Sequence, residues 1–423
     1  MSQPQTVKIG LLGFGNIGAG LVDLIQQNRQ AYLQRTGLDL DVTIALVRDL
    51  SKSRLYGGVE LTTNPSDIYQ FRHVDIVVEL MGGLEPARTL VLECLRRGKH
   101  VVTANKSLLA WHGKEIFRTA ARLKRSVGFE ASVCGGIPLI RVLNSGLIAN
   151  EIDLIYGIVN GTTNYILSKM HQDRLGYKQA LAEAQEAGFA EPNPHNDVSG
   201  IDAAEKLAVL AGLAFGVDVL PNQIPCQGIE RLTLEDIRSA EEMGYVIKML
   251  AYGKQSGRSL DLRVQPTLIP NSHPLANVAN ENNAVFIHGS AVSDMMLYGK
   301  GAGRYPTASA VLSDIVEIAR SGFVPSRIND NQYISKLTTQ KSRFYIRIDI
   351  PDRPGAIGKI TTHFGKHKIS ISHAAADLVK RTGSRGRVTI LTHDVSEKRL
   401  QKALSEIEQW PDLHSHPLAI RVF

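Results

Sequence analysis

Short apolar runs alternate with amphipathic segments over residues 1–128. The runs that begin at Val7, Val42, Val74 and His100 are bounded by turn residues, and each predicts a β-strand. The segments between them have the period of a helix with one apolar face. Because strands separated by helices join through right-handed crossovers, the pattern predicts an α/β domain with a parallel, doubly wound sheet of the Rossmann type.

The pattern changes over residues 129–322, where helical segments dominate and the strands are fewer. We predict an α+β domain here, with strands at 128–133 and 154–160, and helices at 177–188, 199–216 and 309–322. Residues 323–342 are polar and have no sustained period, so they are predicted to form a linker.

A third pattern occupies residues 343–423. It begins with Phe344, Ile346, Ile348 and Ile350 at alternate positions, which predicts a strand with one apolar face. A helix, two strands, a second helix and a final strand follow. This βαββαβ order is that of a ferredoxin-like domain.

Composition excludes several classes of protein. Hydrophobic residues make up 43% and charged residues 21%, as in an ordinary globular protein. The net charge of +7 is spread without a basic block, so no nucleic-acid partner is expected. The three cysteines lie far apart, which argues against disulfides or zinc and suits a reducing compartment. No signal peptide or membrane span of roughly 20 apolar residues is present, so we expect a cytoplasmic protein without membrane association.

A glycine motif, G-x-G-x-x-G, follows the first predicted strand at Gly13, Gly15 and Gly18. Such glycines allow a tight turn, close approach to a pyrophosphate, and packing of helix on strand. The helix that begins there offers free N–H groups to the phosphates. We therefore expect Gly13–Gly18, including Phe14, Asn16 and Ile17, to bind a dinucleotide.

The end of the second predicted strand bears on the choice of dinucleotide. Arg48 stands where an acidic residue would bind the ribose hydroxyls of NAD, and an arginine suits the extra phosphate of NADP. Asp49 is adjacent and could serve NAD instead, and Arg48 could simply be solvated. The sequence favours NADP, with NAD as the alternative.

Five further segments, together with the glycine motif, resemble the homoserine dehydrogenase family. They occur in the expected order over about 300 residues, and any one of them is less specific than the set. The segments are residues 101–109, 130–140, 157–167, 187–207 and 299–314. The resemblance implies an NAD(P)-dependent oxidoreductase that reversibly reduces L-aspartate 4-semialdehyde to L-homoserine, in the biosynthesis of threonine, methionine and isoleucine.

The resemblance also implies the catalytic residues. Lys206 is the implied proton donor and Asp202 an implied substrate contact; at i,i+4 they share one helix face, which a surface salt bridge would also explain. Lys106 lies just past the end of a parallel strand, the edge at which such sheets bind ligands. It could orient substrate or cofactor, share in proton transfer, or contact only phosphate.

Further ligand contacts follow from the same resemblance. Glu191 is implied to bind the substrate, whose ammonium or hydroxyl group suits a carboxylate. Asp197 could assist, or could cap a helix. Thr103, Gly188 and Gly303 are implied cofactor contacts, although the two glycines could also be simple turn residues.

Residues 130–140 resemble the family's monovalent-cation loop, in which backbone carbonyl groups bind sodium. Carried over by position, the ligands are Glu130, Val133, Gly135 and Ile137. Cys134 stands where the family commonly has glycine. It could be a small apolar replacement, or it could make the activity sensitive to oxidation.

Residues 343–423 resemble an ACT domain, with an aspartate–proline–glycine loop before a helix that can receive a carboxylate. We expect an amino-acid effector there and hypothesise threonine, which would lower the activity; a role in oligomerisation alone is the alternative. The resemblance also implies a homodimer or homotetramer. Competing interpretations are another amino-acid dehydrogenase on the same nucleotide fold and a catalytically silent sensor.

Overall fold

The computed structural model describes residues 5–51, 58–70, 73–322, 341–378 and 385–423. The strands, in chain order, are β1 Gln5–Leu12, β2 Leu38–Leu46, β3 Glu60–Thr62, β4 Ile76–Glu79, β5 His100–Thr103, β6 Val127–Gly128, β7 Ile152–Ile158, β8 Tyr245–Ser256, β9 Ser259–Pro270, β10 Asn282–Gly289, β11 Ser293–Lys300, β12 Arg343–Pro351, β13 Ile371–Leu378, β14 Arg385–Thr392 and β15 Leu418–Val422. The α-helices are α1 Asn16–Thr36, α2 Ser66–Tyr69, α3 Ala87–Arg96, α4 Lys106–Arg122, α5 Leu139–Arg141, α6 Gly161–Gln172, α7 Tyr177–Glu186, α8 His195–Val198, α9 Ile201–Phe215, α10 Leu234–Glu242, α11 Arg304–Ser321, α12 Ala356–Lys366 and α13 Glu397–Ile407.

The described residues divide into two compact units. Unit 1 takes its residues from Met1–Gly161, Asp202–Ile224 and Asn282–Ile334, and unit 2 from Thr162–Ile201, Pro225–Glu281 and Ser335–Phe423. Most of the predicted linker, residues 323–340, lies outside the described part of the chain.

Unit 1 contains a parallel sheet of six strands in the order β3-β2-β1-β4-β5-β6. All four residues of β4 and the last four of β1 are buried, as expected for strands covered on both faces. The helix α11 packs with α1 over this sheet and contributes Val311 and Ile315 to its core. The Rossmann-type fold is confirmed. The carboxyl ends of the strands share one edge, where the loops before α1 and α4 lie.

The predicted strand at residues 128–133 is wrong. The strand β6 ends at Gly128, and Glu130–Ser132 form a turn of 3-10 helix. The Glu130 N–H donates to the Asp314 carboxylate at 2.8 Å, and the Glu130 carboxylate accepts the N–H groups of Ile140 and Arg141, each at 2.8 Å. These bonds hold the backbone in a turn, so the apolar composition of the segment reflects burial rather than a strand.

Unit 2 contains the C-terminal βαββαβ domain, whose strands have the ferredoxin-like order β15-β12-β14-β13. Phe344, Ile346, Ile348 and Ile350 are buried against α12 and α13, which confirms the predicted apolar face. The strand β15 lies at one edge of these four strands and pairs in parallel with β9. In turn, β9 forms a long antiparallel hairpin with β8. The strands β8 and β9 were not predicted.

The opposite face of β12 is also buried, although its residues are polar. Arg347 and Asp349 are 5% and 4% exposed. The guanidinium of Arg347 pairs with the fully buried Asp236 of α10, and the Tyr345 hydroxyl donates to the same carboxylate at 3.0 Å. A charged cluster therefore joins the ferredoxin-like domain to α10 within unit 2.

Membrane spans were sought among the helices of the described residues. None combines the length and the apolar character needed to cross a bilayer.

Candidate active site

Two lysines converge on one buried carboxylate in unit 1. Asp202 lies in the first turn of α9, and Lys206 follows one turn later. The Lys206 ammonium donates to Asp202 Oδ2 at 2.8 Å, and the Lys106 Nζ lies 3.1 Å from Oδ1. Lys106 opens α4 at the carboxyl edge of the sheet. The structure thus brings Lys106 together with two residues that lie about 100 positions later in the sequence.

The cluster pairs two lysine side chains with a single carboxylate, and one side of it is exposed. Asp202 is 8% exposed, whereas one third of the Lys106 side chain reaches solvent. Burial alone would raise the pKa of Asp202, but the nearby Lys206 and Lys106 outweigh it and hold that pKa below its usual range. The Asp202 carboxylate therefore stays ionised.

Two groups that follow β7 fix the position of Lys206. The Val159 carbonyl accepts a hydrogen bond from the Lys206 ammonium at 2.7 Å. The Asn160 amide donates to Asp202 Oδ2 at 2.8 Å. Asn160 was not among the predicted site residues; its place at the end of a predicted strand, before G-T-T, was the available signal. Together these bonds leave one orientation for the ammonium group.

The loop before α4 is organised by Glu79, which the sequence analysis also missed. This carboxylate is fully buried at the end of β4 and accepts the Met81 N–H at 2.8 Å and the Thr103 hydroxyl at 2.5 Å. Asn105 donates to the Gly83 carbonyl at 2.7 Å and caps α4 by accepting the Leu108 N–H. Glu79 thus supports the start of the helix that carries Lys106.

The predicted dinucleotide motif has the geometry that its glycines require. Gly13 has φ +98°, and a Cβ there would lie 3.0 Å from the Leu80 carbonyl oxygen. An added Cβ on Gly18 would lie 3.1 Å from the Phe14 ring. At Gly15, the residue before α1, a Cβ would meet no atom within 4 Å. The N-terminus of α1 is therefore open, and its N–H groups are available to a pyrophosphate.

Other predicted cofactor contacts lie around this turn. Arg48 is exposed in the loop after β2. The Asp49 carboxylate accepts the N–H and hydroxyl of Ser51, at 2.8 and 2.7 Å. Gly303 precedes α11 with φ +124°, and a Cβ on Gly20 of α1 would lie 2.7 Å from the Arg304 side chain. Gly303 therefore lies close to α1. Thr103, the last residue of β5, donates a hydrogen bond from its hydroxyl to the Glu79 carboxylate.

The predicted cation loop is compact and tightly packed. A Cβ on Gly136 would lie 2.6 Å from the Lys300 carbonyl oxygen, and one on Gly135 would lie 2.9 Å from the Thr307 hydroxyl. The Glu130 carboxylate accepts two N–H groups, and the predicted ligand at this residue is its backbone carbonyl. Backbone carbonyl oxygens suit a hard cation such as sodium, and the loop is compatible with one.

Cys134 adopts the left-handed backbone conformation within that loop, with φ +52°. This conformation favours glycine, which gives a physical reason for the glycine that the family commonly has there. The thiol is 1% exposed, and burial raises its pKa. Because the thiolate is the reactive form, the predicted sensitivity to oxidation has little support from this environment.

The remaining predicted site residues belong to unit 2. Gly188 has φ +75° and ends the turn after α7. Glu191 is exposed, and its carbonyl accepts a hydrogen bond from Gln185 at 3.1 Å. Asp197 lies in the short helix α8. Their roles as cofactor and substrate contacts stay predictions.

The ferredoxin-like domain has a cavity of about 680 Å³ at its loop before α12. Asp352, Gly355 and Ile357 line one side, and Ala376 of β13 and Val388 of β14 line another. Gly355 has φ +87°, a turn that exposes the N–H groups at the start of α12. The cavity offers a carboxylate side chain and a helix N-terminus, which complement the two charges of an amino acid.

Comparison with known proteins places these features in one family. Residues 138–316 match the homoserine dehydrogenase domain, residues 13–130 its NAD-binding domain, and residues 344–410 the ACT domain. A homoserine dehydrogenase of Synechocystis is 40% identical over 99% of this chain and 100% of its own.

Solved structures of homoserine dehydrogenases are also similar to this chain. That of a homoserine dehydrogenase from Thiobacillus denitrificans has a TM-score of 0.91 and 40% identity, covering 99% of this chain and 98% of its own. A hyperthermophilic archaeal homoserine dehydrogenase is more distant: its TM-score is 0.63 at 25% identity, over 74% of this chain and 98% of its own.

Proposed function

The chain belongs to the homoserine dehydrogenase family of oxidoreductases, and we propose that it interconverts L-aspartate 4-semialdehyde and L-homoserine with NADP as cofactor. The observation that carries this proposal is the convergence of Lys206 and Lys106 on Asp202 at the carboxyl edge of a dinucleotide-binding sheet. Reduction of a carbonyl needs a proton donor, and an amino-acid substrate needs ionic partners. The cluster supplies both kinds of group.

Lys206 is the proposed proton donor. When bound, the nicotinamide supplies a hydride in one direction and accepts it in the other. In reduction, Lys206 Nζ gives a proton to the carbonyl oxygen of the semialdehyde as the C4–O double bond becomes a C4–O single bond. In oxidation, the neutral amine takes the hydroxyl proton back. Val159 and Asn160 hold the lysine and its carboxylate for this transfer.

The other residues hold the substrate and cofactor. Lys106 orients the reacting group from the start of α4, and Glu191, with help from Asp197, binds the amino-acid end of the substrate. Residues Gly13–Gly18 and Gly303 take the pyrophosphate end, with Thr103 and Gly188 as further contacts. Arg48 favours NADP, as does the archaeal relative, which was solved in complex with NADPH. Sodium, held by the carbonyls of Glu130, Val133, Gly135 and Ile137, would stabilise the loop beneath the cluster.

Homoserine-dependent reduction of NADP+ and NAD+ tests this proposal. We expect wild type to turn over L-homoserine, with a lower KM for NADP+ than for NAD+. We expect Lys206→Ala to bind NADPH normally, as measured by nucleotide fluorescence, and to lose most of its turnover. A wild-type protein that binds cofactor but leaves homoserine unchanged would favour the alternative dehydrogenase or the silent sensor.

The ACT domain is the proposed site of feedback control by threonine in a homodimer or homotetramer. The cavity before α12 presents the Asp352 carboxylate to an ammonium and the helix N-terminus to a carboxylate. Threonine should inhibit wild type, and Asp352→Ala should keep basal activity while losing the response. Equal inhibition of wild type and Asp352→Ala by threonine would contradict this effector site. The number of subunits in the oligomer would be measured separately, by light scattering.

A further inference from the structure

A second ligand set lies on the helical side of the ACT domain, apart from the cavity before α12. His363 lies in the last turn of α12, and His367 follows one turn later, directly after the helix. Glu406 lies in α13. The ligand atoms of all three lie within 4.8 Å of one another. Among the residues that the structure describes, no other histidine, cysteine and carboxylate group of this size comes as close.

The distances fit a small transition-metal ion. His367 Nε2 lies 2.9 Å from Glu406 Oε2, and His363 Nε2 lies 3.9 Å from the same oxygen. Tetrahedral ligands at bond lengths of roughly 2.0–2.1 Å are about 3.4 Å apart, which lies between these two values. Small side-chain movements would therefore bring the three atoms to a common centre.

The surroundings already fix much of this arrangement. Both histidine side chains are 13% exposed, and the His363 ring packs edge-on against Trp410 at 5.3 Å. The His363 Nε2 now contacts the Ala403 carbonyl at 3.0 Å, and that bond would be exchanged for the metal.

We propose that His363, His367 and Glu406 bind a first-row divalent transition metal, such as Zn²⁺, with water completing the coordination. Two imidazoles and one carboxylate are suited to zinc, and three protein ligands leave an open position. Bound metal would fasten α12 to α13. Because α12 begins directly after the loop that lines the effector cavity, the metal would stabilise the helix on which that cavity depends.

Metal binding to the full-length chain tests this site. Chelator-treated protein would be titrated with Co²⁺, whose visible spectrum reports coordination, and with Zn²⁺ in equilibrium dialysis and thermal melts. We expect one ion per chain and a higher melting temperature. We expect His367→Gln and Glu406→Gln to weaken binding by about tenfold or more.

The control is His416→Gln. His416 also pairs with a glutamate, Glu408, at 3.4 Å, but it is 78% exposed and its pair has no second histidine. This variant should bind metal as wild type does. The proposal is overturned if wild type binds no ion, if the two ligand variants bind as wild type does, or if His416→Gln is weakened equally. Glu406 is half-exposed, so its replacement should leave the fold intact.

Discussion

Two buried charge clusters in this protein differ in how their cations meet solvent. In the active-site cluster of unit 1, Asp202 is buried, but one third of the Lys106 side chain is exposed. In the ACT cluster of unit 2, Asp236 and Arg347 pair at 0% and 6% side-chain exposure, and Arg387 and Asp349 pair at 11% and 6%. One cluster presents charge to a ligand, and the other seals charge within the protein.

This difference in solvent exposure indicates what each cluster does. A sealed ion pair gains little over apolar packing, but losing one partner leaves an uncompensated charge in a medium of low dielectric. A cluster that opens to solvent on one side can rehydrate its exposed cation, here Lys106, so loss of the carboxylate should cost activity more than stability. The same pairing of carboxylate with cation thus serves the proposed catalysis in unit 1 and domain attachment in unit 2.

The largest expected effect is on stability, from Asp236→Asn. This change removes the negative charge that pairs with the buried Arg347, and it leaves one oxygen where two now accept from Arg347, Tyr345 and the Thr233 N–H. We expect the free energy of unfolding to fall by about 3–5 kcal/mol, measured by urea denaturation.

The matched control for that change is Asp412→Asn. Asp412 also contacts two cations in the ACT domain, but Arg353 and Lys359 are 59% and 41% exposed. Its loss should cost no more than about 1 kcal/mol, because exposed ion pairs contribute little. Similar losses for the two variants would remove the distinction between sealed and surface charges.

Asp202→Asn should reduce activity more than stability. Without the carboxylate, neither lysine is held as an oriented ammonium, and we expect kcat/KM to fall by about 100-fold to 1000-fold. Unfolding should change less than in Asp236→Asn, since Lys106 can reach solvent. A variant that unfolds readily yet retains its kcat/KM would break the comparison.

A smaller loss is expected for Glu79→Gln. The amide keeps one acceptor but loses the negative charge that binds the Met81 N–H and the Thr103 hydroxyl. The start of α4 would loosen, and with it the position of Lys106, so we expect kcat/KM to fall by about tenfold. Glu79 acts through Lys106, so the loss should shrink in a Lys106→Met background. An equal loss in both backgrounds would argue for a structural role only.

The smallest effect is the response of the two clusters to acid. Burial would raise the pKa of Asp349, but Arg387 outweighs it, and the pKa of Asp202 is likewise held low. A carboxylate with a lowered folded pKa stabilises the fold above its unfolded pKa of about 3.9, and this contribution is lost as pH falls below that value. In Asp349→Asn and in Asp202→Asn, the free energy of unfolding should therefore fall less steeply than in wild type below about pH 4. Its pH dependence between about pH 5 and 7 should be unchanged.

Local patterns in the sequence predicted much of the fold. The alternation of Phe344, Ile346, Ile348 and Ile350 identified a strand and its buried face, because side chains on a strand alternate between its faces. The same rule assigns Arg347 and Asp349 to solvent, where they do not lie. Arg347 is buried against α10, more than 100 residues earlier, and Asp349 pairs with Arg387 of β14; no local pattern records either contact.

The active site was predicted in part, for a similar reason. The spacing of Asp202 and Lys206 is local. Lys106 was placed at the ligand-binding edge of the sheet by the strand before it, but its contact with Asp202 left no local signal. Glu79 and Asn160 follow strands without a distinctive spacing, and their roles depend on how separate strands end side by side. In the same way, β8 carries a buried lysine, Lys248, whose ammonium donates to the Val278 carbonyl at 2.6 Å. That partner is distant in sequence and gives the strand no local signature.

The central claim is that Lys206 delivers the proton while Lys106 orients the reacting group. Single-turnover oxidation of L-homoserine, compared between Lys206→Met and Lys106→Met, tests it most directly. We predict that Lys206→Met slows the chemical step by about 1000-fold with little change in cofactor affinity, and that Lys106→Met chiefly raises the KM for homoserine. A Lys206→Met protein with a wild-type chemical step, or a larger loss of that step in Lys106→Met, would contradict the account.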